Sequence, residues 1–187
     1  GAGVPGINDD VVFDLNSFSN PYEQVTIVGT ATCHSMQWTP DIDSPVLAGN
    51  NLSSLNIYGS LTLDGSLNWK FSGTLNLKSS QQNNIINSGA CKLGNITFNG
   101  SGSWNLGSTL LLANSSVLTI NAGSIYANGN PIDCSVLKIT GTAKKLLDIS
   151  KATLMVEQHF EETGAQNFKH NYTNCTIYYM HRLKAST

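Results

Sequence analysis

The stretch from Leu52 to Leu77, LSSLNIYGSLTLDGSLNWKFSGTLNL, constrains this chain more than any other. Apolar-polar-apolar units recur in it: Leu55-Asn56-Ile57, Leu61-Thr62-Leu63, Leu67-Asn68-Trp69 (running on to Phe71) and Leu75-Asn76-Leu77. Small polar or glycine corners separate them: Tyr58-Gly59-Ser60, Asp64-Gly65-Ser66 and Ser72-Gly73-Thr74. Alternation of period two marks each unit as a strand with one buried face. Units this short fall below the usual ~5–6 residues of a sheet strand, and an isolated hairpin of them would bury too little to be stable. Stacking solves the problem. The starts at Leu55, Leu61, Leu67 and Leu75 make three faces into one coil of roughly twenty residues, within the range of solenoid repeats. Leu, Ile, Trp and Phe then fill the bore, and Gly, Asn and Asp serve the tight corners.

The expected fold is therefore all-β: a right-handed parallel β-helix with about three short strands per coil. The rival is an antiparallel β-sandwich, with Asp64-Gly65 as a hairpin turn. It ranks second because a hairpin explains one corner, whereas the same corner chemistry recurs along the chain. The expected organisation is one domain over residues 1–187. Residues 1–50 form an N-terminal cap and first strands, 51–156 the regular coils, and 157–187 an atypical last coil or cap. Strands are read at Gln24–Val28 and over Cys33–Trp38, with Met36 and Trp38 inward. Asp41–Gly49 and Ala165–His170 read as loops, and Thr176–His181 as a longer strand. The grammar resumes at Ile96-Phe98, Trp104-Leu106, Leu110-Leu112 and Leu118-Ile120. Trp38, Trp69 and Trp104 share the apolar phase of their strands and are expected inside.

Charge narrows the function classes. Charged residues make up 12% of the chain, about half the share in ordinary domains, and net charge is −2. Neither a nucleic-acid footprint nor a polybasic membrane patch is present. Between Leu93 and Ile132 no side chain is charged, so solubility there rests on Asn, Ser and Thr, which can form ladders along stacked coils. No run reaches the ~18 apolar residues of a membrane span, and no signal-peptide pattern is visible. Gly1-Ala2-Gly3 reads as an expression scar, so the expected origin is a piece of a longer secreted protein. Cys33, Cys91, Cys134 and Cys175 permit two disulfides in three connectivities. The preferred reading makes them small apolar residues of the bore, and none has zinc-site spacing.

Several segments together resemble a known type of region. They are VVFDLNSF at Val11–Phe18, the VTI strand at Val25, CHSMQW at Cys33–Trp38, LNIYGSLTL at Leu55–Leu63, ITFNGSGSW at Ile96–Trp104 and KLLDIS at Lys145–Ser150. The order is similar to β-helical regions of large secreted or cell-surface proteins of the Bacteroidetes. The resemblance covers most of Val4 to about Phe160. It implies a parallel β-helix and export to the cell surface, often ahead of a C-terminal sorting signal that this sequence does not contain. Such regions have no agreed catalytic residues, so none carries over.

Candidate chemistry is sparse. Uronan-cleaving enzymes share the β-helix shape, but hydrolysis needs paired carboxylates and the central coils have almost none. Asp64 sits in a corner and Lys70 on an outward face, neither with a partner in its coil. The oxygen-rich Asp9 and Asp10, and Asp41 with Asp43, are calcium candidates, but neither pair has the offsets of a calcium loop, and turn capping is the preferred reading. His34 beside Cys33, and His181 after Cys175, invite a metal or nucleophile reading that no third group supports. Asn-x-Ser/Thr acceptors, among them those at Asn51, Asn95, Asn114, Asn171 and Asn174, are expected by chance in so Asn- and Ser-rich a chain. Tyr58, Tyr126, Tyr178 and Tyr179 are the candidate ligand-binding aromatics, placed to lie outside and able to stack on sugar rings.

The expectation is a non-catalytic structural or adhesive segment of a secreted or surface-anchored bacterial protein, without a cofactor. Its expected partners are a glycan, a host or cell-surface protein, and neighbouring domains of a longer chain, with no nucleic acid and no membrane insertion. The alternative is a carbohydrate-binding or polysaccharide-processing module on the same fold.

Overall fold

The computed structural model describes residues 3–39 and 43–180. The described residues contain strands and turns but no helix, wound into a parallel β-solenoid of about eight coils. The first coil carries β1 (Val11–Phe13), β2 (Gln24–Ile27) and β3 (Thr30–Cys33). The second carries β4 (Met36–Trp38), β5 (Val46–Gly49) and β6 (Ser54–Ile57), and the third β7 (Leu61–Thr62), β8 (Asn68–Phe71) and β9 (Thr74–Leu77). The fourth has β10 (Asn84–Asn87) and β11 (Asn95–Phe98); the fifth has β12 (Ser103–Leu106), β13 (Leu110–Leu111) and β14 (Val117–Ile120). In the sixth and seventh, two faces merge into one long strand: β15 (Gly123–Tyr126) precedes β16 (Ile132–Thr140), and β17 (Lys145–Asp148) precedes β18 (Thr153–Thr163). The last coil carries β19 (Phe168–Asn171) and β20 (Thr176–Tyr179).

Every strand pairing is parallel and joins one coil to the next, which excludes the sandwich. Leu55 lies under Leu75 and Ile57 under Leu77, so the fourth unit of the opening stretch stacks on the first. Leu61 stacks between Met36 and Ile86, never against the neighbouring Leu67 unit. The three faces are an eight-stranded sheet, a nine-stranded sheet and a three-stranded sheet of β2, β5 and β8. Inward side chains from all three merge into one core running from Ile27 to Val156.

Two interactions fix the register outside and at the corners. Asn76 donates its side-chain amide to Asn56 Oδ1 at 3.1 Å, and Asn56 donates to Thr32 Oγ1 at 3.5 Å, so three successive coils are laced on their outer face. At the corners the backbones approach too closely for a side chain: a methyl at Gly73 would run into the carbonyl of Ser53, and one at Gly100 into that of Ser79.

Some expected boundaries shift. Cys33–Trp38 is two strands, because the chain turns at His34-Ser35 from one face to the next. Val46–Gly49 is a strand rather than loop: Leu47 packs inward, Val46 is buried on the opposite phase, and Pro45 sits just ahead of the ladder where its missing N–H is harmless. Phe168–Asn171 is likewise a strand, held by pairing to Lys145–Asp148 despite its polar composition. Thr176–Tyr179 is four residues long as described, and His181 lies outside the described residues. The four cysteines are free thiols, with Cys33, Cys91 and Cys134 buried in the bore and Cys175 half-buried. Burial pushes the thiols of Cys33 and Cys91 up to about 11 and that of Cys134 to about 12.

Candidate functional site: a break in the third face

The solenoid does not gather the candidate tyrosines. Tyr58 is half-buried at the corner after β6, and Tyr126 is half-buried on the outer face of β15, in register with Asn105 and Asp148. Tyr178 and Tyr179 are exposed on the last strand. The carboxylates are dispersed as well. Asp9 Oδ2 accepts from the Gly6 N–H at 2.8 Å, a turn contact, and the main chain of Asp43 accepts from Tyr22. Asp41 lies outside the described residues. Among the described residues no three His, Cys, Asp or Glu side chains form a group that could hold a metal ion.

Stacking creates titratable pairs that local sequence does not announce: Lys138 Nζ meets Glu161 Oε1 at 3.0 Å on the outer face, and Asp10 meets His34 at a corner. Asp10 approaches β1 directly beneath the His34-Ser35 corner of the next coil. Its Oδ1 lies 2.8 Å from His34 Nδ1 and accepts from the Ser35 N–H at 3.0 Å. These contacts, His34 first, hold the Asp10 carboxyl below its usual range. Ser, His and Asp are thus in contact, but not as a charge-relay triad. A triad needs the carboxylate on one ring nitrogen and the hydroxyl on the other. Here Ser35 Oγ lies 3.3 Å from Nδ1, the nitrogen already held by Asp10, and accepts from the Ser60 N–H at 3.2 Å. The ring is a corner clamp joining successive coils. Cys33, one residue away, points into the bore and is buried.

A second buried polar group is also structural. Lys145 is 3% exposed and donates to the carbonyls of Gly141, Ala143 and Gln166 at 2.6–2.9 Å. Burial lowers its pKa, opposed by the nearby Glu162. Its position two residues before Leu147 places it on the inward phase, which the sequence did display.

The feature that sets one surface region apart is an interruption. The three-stranded sheet ends at β8, and the same face resumes only at the single Leu93–Leu112 bridge and β13. Trp69 lies on the inward phase, in register with the fully buried Leu47, yet no strand covers its other side. It is therefore half-buried, a correction to the expectation that all three tryptophans are enclosed; Trp38 and Trp104 are 3% and 0% exposed. The Trp69 Nε1 is sealed from solvent without a partner, so the part of the side chain that reaches the surface is ring carbon. Phe71 meets the ring edge-on at 5.9 Å and holds it from behind. A concavity of about 320 Å³ opens at the gap, lined by Trp69, Lys70, Lys92, Asn95, Asn114 and Ser116. It holds an apolar platform, two ammonium groups and two exposed amides, and no carboxylate.

Fold and surface together define a parallel β-solenoid with a laced polar exterior and one gap in its third face. Comparison of the chain with protein-family models, curated proteins and solved structures finds no match.

Proposed function

We propose that this chain is a non-catalytic structural and adhesive segment of a secreted or surface-anchored bacterial protein. The observation that carries the reading is the stack itself: about eight coils in parallel register, with hydroxyl and amide rungs outside. A rod of this kind presents a long contact surface whose shape is fixed before any partner arrives, so little ordering entropy opposes binding. The contacts made by Asp10, His34 and Lys145 favour the same reading, since each joins one stretch of backbone or coil to another rather than opening toward a cleft. The expected setting is outside the cell, as part of a longer chain whose other domains the rod spaces or displays.

The test is attachment measured beside turnover. Beads coated with the protein should adhere to a panel of glycan- and protein-coated surfaces with saturable binding. The same preparation should release no reducing ends and no unsaturated products from polysaccharides. Cleavage that disappears on Asp10→Asn or His34→Gln substitution would replace this proposal with a catalytic one.

A further inference from the structure

We infer that the gap at Trp69 is a subsite for a carboxylated glycan, with the indole as platform, Lys70 and Lys92 as the carboxylate partners, and Asn95 and Asn114 as hydroxyl readers. The inference deepens the adhesive reading by naming a ligand class, and it rests on that reading.

The charge arrangement selects the ligand. Lys70 and Lys92 are exposed, line one concavity, and make no ion pair within the described residues. The nearest acid linked to either is Asp133, which Lys92 influences through space and not by contact. The chain has only 10 Lys and Arg in all and a net charge of −2, so two ammonium groups in one concavity with no carboxylate in contact form a local field against the overall balance. Such a site draws an anion.

The rest of the lining says which anion. Lysine is a point charge without the planar fork that clamps carboxylate or phosphate bidentately, and no arginine occurs among the described residues, so the ammonium groups set the sign of the ligand and the rest of the lining sets its class. The surroundings suit a sugar. An aromatic carbon surface takes the C–H face of a pyranose. The amide of Asn114 is exposed, and Asn95, whose Oδ1 accepts from the Val117 N–H, keeps its NH₂ to offer a hydroxyl. Nucleic acid would need a longer basic track and several stacking rings. The absence of a carboxylate in the lining means that the site can hold such a glycan without supplying the acid and base needed to cleave it.

The site also explains why the third face is broken there. A regular strand in the fourth coil would lie over Trp69 as β5 lies on its other side, and the ring would be lost to the core. Between β10 and β11 the chain instead turns at Ser88–Cys91 and touches the face only at Leu93.

The test is titration calorimetry of the intact protein with alginate oligosaccharides, their esterified neutral counterparts, and dextran sulfate. Alginate should bind with an affinity that falls as salt rises, and the ester should bind at least about tenfold more weakly. Lys70→Gln/Lys92→Gln should weaken alginate by about tenfold, the order expected for two exposed charge contacts, with an unchanged circular-dichroism spectrum. Trp69→Phe, which keeps the core contact, should bind more tightly than Trp69→Ala. A second lysine concavity, at Lys144 and Lys169, supplies the control, and Lys144→Gln/Lys169→Gln should leave binding unaltered. Equal binding of ester and acid, tighter binding of dextran sulfate, no binding of alginate, or a loss confined to the Lys144/Lys169 variant would each overturn the assignment. Attachment of coated beads that persists without alginate binding would sink this inference and leave the adhesive reading standing.

Discussion

The middle of the rod and its last coil obey one pattern and end differently. Leu154 and Ile177 occupy the same inward register in consecutive coils, yet Leu154 is 4% exposed and Ile177 is 48%. Val156 and Tyr179 repeat the contrast at 2% and 51%; Leu137 and Phe160 do so at 1% and 44%, because β20 covers only the first part of β18 and leaves Phe160 without a described strand above it. Alternation decides which way a side chain points. A coil on both sides decides whether it is buried. In the middle, burial contributes about 1.5–3 kcal/mol for each large apolar side chain. At the end, the same residue types stabilise far less, and the described strand edges remain open to addition. Trp69 shows that the distinction concerns neighbours and not distance from an end: it lies in the third of about eight coils and still loses one neighbour.

The sharpest way to break this comparison is at matched phenylalanines. Phe98→Ala, at a fully buried position, should lose about 3–5 kcal/mol in urea unfolding. Phe160→Ala, on the same inward phase but 44% exposed, should lose less than about 1 kcal/mol. Equal losses would mean that neighbour supply is not what distinguishes the two regions. The backbone offers a second pair. Gly100→Ala drives a methyl into the carbonyl of Ser79 between stacked coils and should cost about 3 kcal/mol. Gly164, in the turn after β18, has φ +60 and open space for 4 Å around the position a methyl would take. Gly164→Ala should therefore cost only the left-handed backbone penalty of about 1 kcal/mol.

A third comparison sets buried against exposed in one dipeptide. Lys145→Met leaves three carbonyls without their donor and should lower stability by about 2 kcal/mol, whereas Lys144→Met should be near neutral. The smallest effect is expected at the N-terminal corner. The Asp10 carboxyl is held below its ordinary value of 3.8 by His34 and the Ser35 N–H. Its stabilising contribution is therefore complete above that value and is lost as pH falls through the lower folded value. The protection of the His34 and Ser35 amides, taken relative to their intrinsic exchange rates at each pH, should fall on acidification below about pH 4, and Asp10→Asn should remove that fall while barely moving the urea midpoint. Protection factors that do not change in acid would show that the corner is held by the main-chain ladder alone.

The sequence of the Leu52–Leu77 stretch carried most of the architecture. It showed the phase of every inward residue, the three faces and the spacing that lays Leu75 over Leu55. The candidate site was far less legible. Lys70 and Lys92 are ordinary outward lysines in the sequence, and Trp69 reads as core. The tyrosines expected to bind lie on different faces or at the open end.

Sequence alone determined the direction of each side chain, because alternation is a property of adjacent residues and survives any change in what lies above or below. Tertiary structure alone decided which inward residues are enclosed, where the third face breaks, and which lysines share a concavity. Those outcomes depend on whether a chain some twenty residues away supplies a strand at the matching height, and such contacts are set by how coils of unequal length stack.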